Sequence, residues 1–163
     1  MANYLSVLEK TWVAHVIRPY STRRPTEIVS APKIYAFDTG FVSYFKGWHR
    51  LRPEDFGHLW EHYVLNEVNS RGLTGRLHYW RDKSGHEVDF VWIKAGEPPI
   101  AIECKWSADN ADIKNIRIFR KRYPRGANII VAQDIERSYS RSIAGLEFSF
   151  VNLDGLIEKL AAP

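Results

Sequence analysis

The chain has 163 residues, 45% of them apolar, and six tryptophans, which suits one globular domain with a full core plus a short extra module. Its net charge of +4 is compatible with a nucleic-acid partner without requiring one. The single cysteine excludes an intrachain disulfide and, with no secretory apolar region, points to the cytoplasm, while no apolar run approaches membrane-spanning length.

Taken in order, Tyr4, Leu5, Leu8, Trp12 and Val13 make a helical stripe, and Val13 to Ile17 begins a strand. A basic turn with Arg23 and Arg24 follows, then a returning strand from Glu27 to Ser30. Helix, strand, basic turn and strand is the shape of the last part of a winged helix, in which Arg23 and Arg24 would contact phosphates. A solvated hairpin reads equally well. The earlier helices of a winged helix are missing, so residues 1–32 are expected to be a winged-helix remnant packed outside the central sheet.

Lys33 to Phe37 alternates as a short strand, and Asp38 is placed to cap the segment from Phe41 to Phe45. Pro53 to Arg71 is the clearest helix: Pro53 suits its first turn, Glu54 and Asp55 favour its positive end, and Gly72 stops it. Phe56, Leu59, Trp60, Tyr63, Val64 and Val68 form its apolar stripe, with Glu61 at the stripe's edge. Glu61 is therefore either an acid that reaches the sheet or a plain surface residue. His58 and His62 stand one turn apart on the polar side, where solvation is expected because no third metal ligand is evident.

Gly75 to Arg81 reads as a strand, and Asp82 to Gly85 as a hairpin turn. The next strand, His86 to Ile93, and its successor, Ile100 to Trp106, flank a Gly/Pro loop and should be antiparallel neighbours. Strand alternation puts Glu103 and Lys105 on one face, with Ile102 and Cys104 on the other. The same rule puts Glu87, Asp89 and Val91 together, opposite Val88, Phe90 and Trp92. If the faces match, Asp89, Glu103 and Lys105 converge. Two carboxylates can hold a hard divalent cation, and a neighbouring lysine can activate water or hold an anion.

A helix is expected from about Ala111 to Tyr123, with Ile113, Ile116, Phe119 and Tyr123 as its core side. Lys114, Arg117 and Lys121 line another face, with Arg120, Arg122 and Arg125 close by. This face fits a phosphodiester backbone, and it also fits an ordinary charged surface. A buried strand follows from Asn128 to Ala132, a polar loop from Ser138 to Gly145, a strand from Leu146 to Val151 and a closing helix from Leu153 capped by Asn152.

The acid Asp89 followed by Glu103-Cys104-Lys105 resembles the signature of the PD-(D/E)XK nuclease superfamily. A narrower resemblance rests on five segments in order: Lys33 to Gly40 (KIYAFDTG), Glu61, Trp80-Arg81-Asp82, Glu87-Val88-Asp89-Phe90 and Ile102-Glu103-Cys104-Lys105. In this order they resemble the C-terminal domain of unknown function of prokaryotic AAA-type ATP-binding proteins, a PD-(D/E)XK-like fold. No G-x-x-x-x-G-K-[ST] is present, so this chain is not expected to bind ATP through a P-loop.

The resemblance implies an α/β fold: a restriction-endonuclease-like three-layer αβα domain with a mixed central sheet over residues 33–163. It implies that Asp89, Glu103 and the Cys104 carbonyl hold Mg²⁺ or Mn²⁺. Lys105 would steady the attacking water, and Glu61 would orient water or a second metal. Nucleic acid is the expected substrate, and an N-terminal ATPase module, absent from this chain, the expected partner. The competing reading is a non-catalytic module that docks DNA or protein to that ATPase.

Overall fold

The computed structural model describes residues 2–21 and 31–162. Helix α1 (Ala2–Lys10) leads into β1 (Ala14–Ile17), which pairs antiparallel with β2 (Lys33–Ala36) in a separate two-stranded sheet. Arg23 and Arg24, and the expected returning strand from Glu27 to Ser30, lie outside the described residues. Helix α2 (Thr39–Phe45) follows, and the Asp38 side chain accepts from Phe41 N at its start.

Helix α3 (Pro53–Ser70) precedes a six-stranded mixed sheet in the order β3-β4-β5-β6-β8-β7. Its members are β3 (Arg76–Arg81), β4 (Glu87–Ile93), β5 (Ile100–Lys105), β6 (Asn128–Ala132), β7 (Tyr139–Ile143) and β8 (Leu146–Val151). The β5–β6 and β6–β8 pairs are parallel and the rest antiparallel. Helix α4 (Lys114–Arg122) carries the chain from β5 to β6, and α5 (Leu153–Ala161) closes it, capped by the Asn152 side chain.

Helices cover both faces of this sheet. Trp60, Val64, Leu65 and Val68 of α3 and Leu156 and Leu160 of α5 pack with Phe90, Trp92, Ile102 and Val131. Ile116 and Phe119 of α4 pack with Trp80, Val88, Val91, Ala101 and Ile130 on the other side. Strand β6, covered on both faces, is buried at all five positions, which is why it reads as an unbroken apolar run. The Trp60 indole N–H donates to Val131 O at 3.1 Å and pins α3 to this central strand. No helix among the described residues is long and apolar enough to cross a membrane.

Four expectations need correction. The segment expected as a loop from Ser138 to Gly145 contains β7, an edge strand paired with β8. Its residues are nearly all exposed, so it carries no apolar alternation to reveal it. Ala144 and Gly145, both at positive φ, make the tight turn that returns it. The buried side of α3 includes Leu65, fully buried, whereas Tyr63 is 42% exposed. That rotation turns Glu61, one turn before Leu65, inward. His62 is buried rather than solvated, with Nε2 2.6 Å from Ala36 O. Arg120 is buried too, 4% exposed, and does not belong to the solvated basic face.

Candidate active site

The alternation expected along β4 is broken at its centre. Trp80 faces Val88 and His78 faces Val91, so the two residues Asp89 and Phe90 stand opposite the single Tyr79. This β-bulge puts Val88 and Val91 in the core under α4, while Phe90 and Trp92 join the core under α3. On the other side of β4, ladder pairing with β5 ends at Phe90 and Ile102. One residue further on, the Asp89 side chain takes over from the backbone: its Oδ2 accepts from Cys104 N at 2.9 Å. The bulge therefore lodges a carboxylate between two parting strands.

Glu103 and Lys105 sit on β5 beside it. Lys105 Nζ donates to Glu103 Oε2 at 3.0 Å, and its side chain is 25% exposed. Glu103 is 2% exposed, and its second oxygen, Oε1, is buried with no hydrogen-bond donor. Burial first, and then the Asp89 carboxylate, push the Glu103 carboxyl well above its ordinary range. Asp89 is also pushed up, by burial and then by Glu61. Contact between the Glu103 and Asp89 side chains favours the protonated form of Glu103 as well. Burial opposes the charge on Lys105, but Glu103 and Asp89 outweigh it and hold its pKa above the ordinary value.

The inward Glu61 meets β2. Tyr35 Oη donates to Glu61 Oε1, and Lys33 Nζ lies 3.2 Å from the same oxygen. Lys33 Nζ also lies 2.5 Å from Glu87 Oε1, and Arg81 pairs with the other oxygen of Glu87. Burial works against the charge on Lys33, yet Glu61 and Glu87 raise its pKa overall. The same buried, anionic setting drives the Tyr35 hydroxyl far up. The sequence marks Lys33 and Tyr35 as strand residues of the KIYAFDTG segment and gives them no role at the site. The structure reveals their role: Tyr35 is 4% exposed and the intervening Ile34 57%, so β2 turns Lys33 and Tyr35 inward.

Asp89, Glu103 and Lys105 thus lie together, and Glu61 is within electrostatic reach of Asp89. Cys104 keeps its thiol in the core under α3, where burial and then Asp89 drive its pKa up. Lys114, Arg117 and Lys121 are exposed on α4 and form no ion pair with these carboxylates. Among the described residues no group of three or more His, Cys, Asp and Glu side chains is arranged to hold a metal ion. What the site offers is a pair of carboxylates with an undonated buried oxygen. Mg²⁺ commonly takes one or two carboxylates and completes its shell with water and substrate.

A stability consequence follows. The folded-state pKa of Glu103 lies above its ordinary 4.5. Its stabilising contribution is therefore full below that value and is lost as pH rises through the folded pKa. Glu103→Gln cannot ionise, so its thermal midpoint should exceed that of the wild type at pH ~8.5 without metal and converge with it by pH ~5. Melting curves across that range check this; a gain independent of pH would refute the buried-charge account.

No curated protein matches the chain. A similar solved structure is a chain from a complex titled as the refined half-complex of a tetradecameric assembly of Thermococcus gammatolerans McrB AAA+ hexamers with bound McrC. It is 9% identical with a TM-score of 0.44, over 93% of this chain and 60% of that one. A family described as Domain of unknown function (DUF8612) matches residues 1–52. A second, described as Domain of unknown function (DUF4143), matches residues 56–148, and because that stretch is more than half of the protein and holds the bulge, Asp89, Glu103 and Lys105, the chain belongs to this family.

Proposed function

We propose that the domain is a divalent-cation-dependent phosphodiester hydrolase of the PD-(D/E)XK kind, with a restriction-endonuclease-like fold, acting on nucleic acid beside an AAA-type ATPase module. The observation that carries this reading is Glu103, a nearly inaccessible carboxylate with an undonated oxygen, next to Asp89. Two mutually repelling buried carboxylates are costly unless a cation or proton relieves them. Such strain is characteristic of working sites.

Asp89 and Glu103, with the Cys104 carbonyl, are the groups to hold Mg²⁺ or Mn²⁺. When bound, the ion supplies polarisation of the scissile phosphate and a lowered pKa for bound water. Lys105 stays charged and acts as a donor, not a base: it orients the attacking water and offsets charge developing on the phosphate. Lys114, Arg117 and Lys121 are the residues to follow a phosphodiester backbone, with Arg23 and Arg24 as further contacts.

The second reading, a docking module for DNA or protein, draws support from apolar residues outside this site. Tyr44 is 80% exposed, Phe45 69% and Ile34 57%. Leu8, Ile34, Phe41 and Phe45 line a groove of about 670 Å³. Exposed apolar surface of this kind marks interaction sites.

The test is nicking of single- and double-stranded DNA and RNA with Mg²⁺ or Mn²⁺, together with Mn²⁺ calorimetry. Wild type should cleave and bind Mn²⁺. Asp89→Asn, which keeps an oxygen for Cys104 N, should lose both, because an amide is a poor ligand for a hard cation. Equal cleavage by both proteins would place the activity elsewhere. No cleavage and no bound Mn²⁺ in wild type would leave the docking module standing instead.

A further inference from the structure

Lys33, Glu61 and Glu87 come from three separate elements, β2, α3 and β4, and converge on one point. The Lys33 ammonium lies 3.2 Å from Glu61 and 2.5 Å from Glu87, and all three side chains are about four-fifths buried (19%, 18% and 20% exposed). The two carboxylates are held from outside as well. Tyr35 donates to Glu61, and Arg81 grips the far oxygen of Glu87. Each is thereby aimed at the lysine rather than at solvent. Glu61 and Lys33 both bear electrostatically on Asp89, which joins this trio to the Asp89–Glu103 pair. The adjacent pair holds the buried, undonated Glu103 Oε1.

Two carboxylates converging from different elements on a half-dry point are what a second hard cation would require beside the first. Here that point is filled by an ammonium from the chain itself. We propose that Lys33 is a built-in cation standing where a second divalent ion would otherwise sit, so that the site takes one divalent ion and not two. This rests on the reading that Asp89 and Glu103 bind a cation. Glu61 is then a positioning residue, acting through Lys33, and not a metal ligand. Tyr35 fixes Glu61, and Arg81 fixes Glu87. A lysine in this role delivers positive charge to the phosphate side of the site without depending on the concentration of a second metal ion.

Mn²⁺ stoichiometry on the full chain tests this, by calorimetry and by the paramagnetic signal of free Mn²⁺. Wild type should bind one ion. Lys33→Met keeps length and removes charge, so Glu61 and Glu87 lose the cation they share, Glu87 keeping Arg81 on its far oxygen, and a second Mn²⁺ should enter between them. The double variant Lys33→Met with Glu61→Gln should return to one. Wild type binding two ions, or Lys33→Met still binding one, would overturn the assignment of Lys33 while leaving the Asp89–Glu103 site intact. Wild type binding none would remove the cation site itself, and this inference with it. Should Lys33→Met fail to fold, the wild-type stoichiometry decides alone, one ion supporting the inference and two refuting it.

Discussion

Lys105→Ala is expected to reduce metal-dependent cleavage about a hundredfold to a thousandfold, the usual cost of removing one preorganised donor from a developing negative charge. Its only described hydrogen bond is to Glu103, and its side chain is partly exposed, so little packing is lost. Circular dichroism should show a native fold, and Mn²⁺ binding should persist because Asp89 and Glu103 remain. The measurement is the cleavage rate at saturating Mn²⁺ for both proteins. A drop traced wholly to lost Mn²⁺ affinity, with an unchanged rate at saturation, would show that Lys105 supports the cation and not the chemistry. A rate close to wild type under all conditions would remove Lys105 from the mechanism.

Arg120→Ala is expected to cost stability on the order of 3–5 kcal/mol, the range for breaking a buried charged hydrogen-bond network. Among the described residues Arg120 has no carboxylate partner. Its guanidinium donates instead to four backbone carbonyls, those of Tyr123 at 3.2 Å, Arg125 at 2.5 Å, Pro99 at 3.0 Å and Ala127 at 2.5 Å, and to Asn128 Oδ1 at 2.6 Å. Burial pushes its pKa down to about 10, and the group still carries its proton at neutral pH. One side chain thus ties the end of α4 to the start of β6 and to the loop before β5. Gly126 is part of this knot: a Cβ there would stand 2.1 Å from Pro99 O. Alanine at position 120 would take this donor from the part-buried carbonyls of Tyr123, Arg125 and Pro99 and from Asn128 Oδ1, whereas Ala127 O keeps Ala101 N. Lysine would recover only part, having a point charge where a planar fork is needed. Urea unfolding of the three proteins measures this, and a loss below about 1 kcal/mol for alanine would mean that water replaces the guanidinium freely.

The elements that bury an apolar stripe were legible. Strand β6, the α3 helix and the α5 cap at Asn152 follow from composition and capping alone. Strand β7 was not, because an edge strand with exposed serines and arginine buries too little to impose a pattern. At the site, Asp89 and Glu103 were picked by alternation, but they meet for a different reason. The bulge at Asp89–Phe90 breaks that alternation, and bulges arise from pairing with a partner strand, which no single run of residues encodes. Glu61 was visible as the edge of a stripe. Lys33 and Tyr35 were not, since their roles depend on a strand reaching acids 26 or more positions later. The basic character of α4 was legible and its depth was not: of its basic residues, Arg120 is the one that turns inward.

The β2 strand also decides what can be inherited or transplanted as a unit. The two family matches, residues 1–52 and 56–148, divide the sequence after α2, at the start of α3, as though two modules had been joined. The side chains do not respect that seam. Lys33 and Tyr35 close on Glu61, Tyr79 Oη donates to Ala31 O at 2.5 Å, and Tyr20 N donates to Tyr79 O at 2.6 Å. A fragment beginning at Pro53 would carry Glu61 and Glu87 without Lys33 between them and a sheet edge without its cover. Any natural shuffling that keeps the second module must therefore bring the KIYAFDTG segment with it, and an engineer dividing this protein should cut before β1 rather than at the seam.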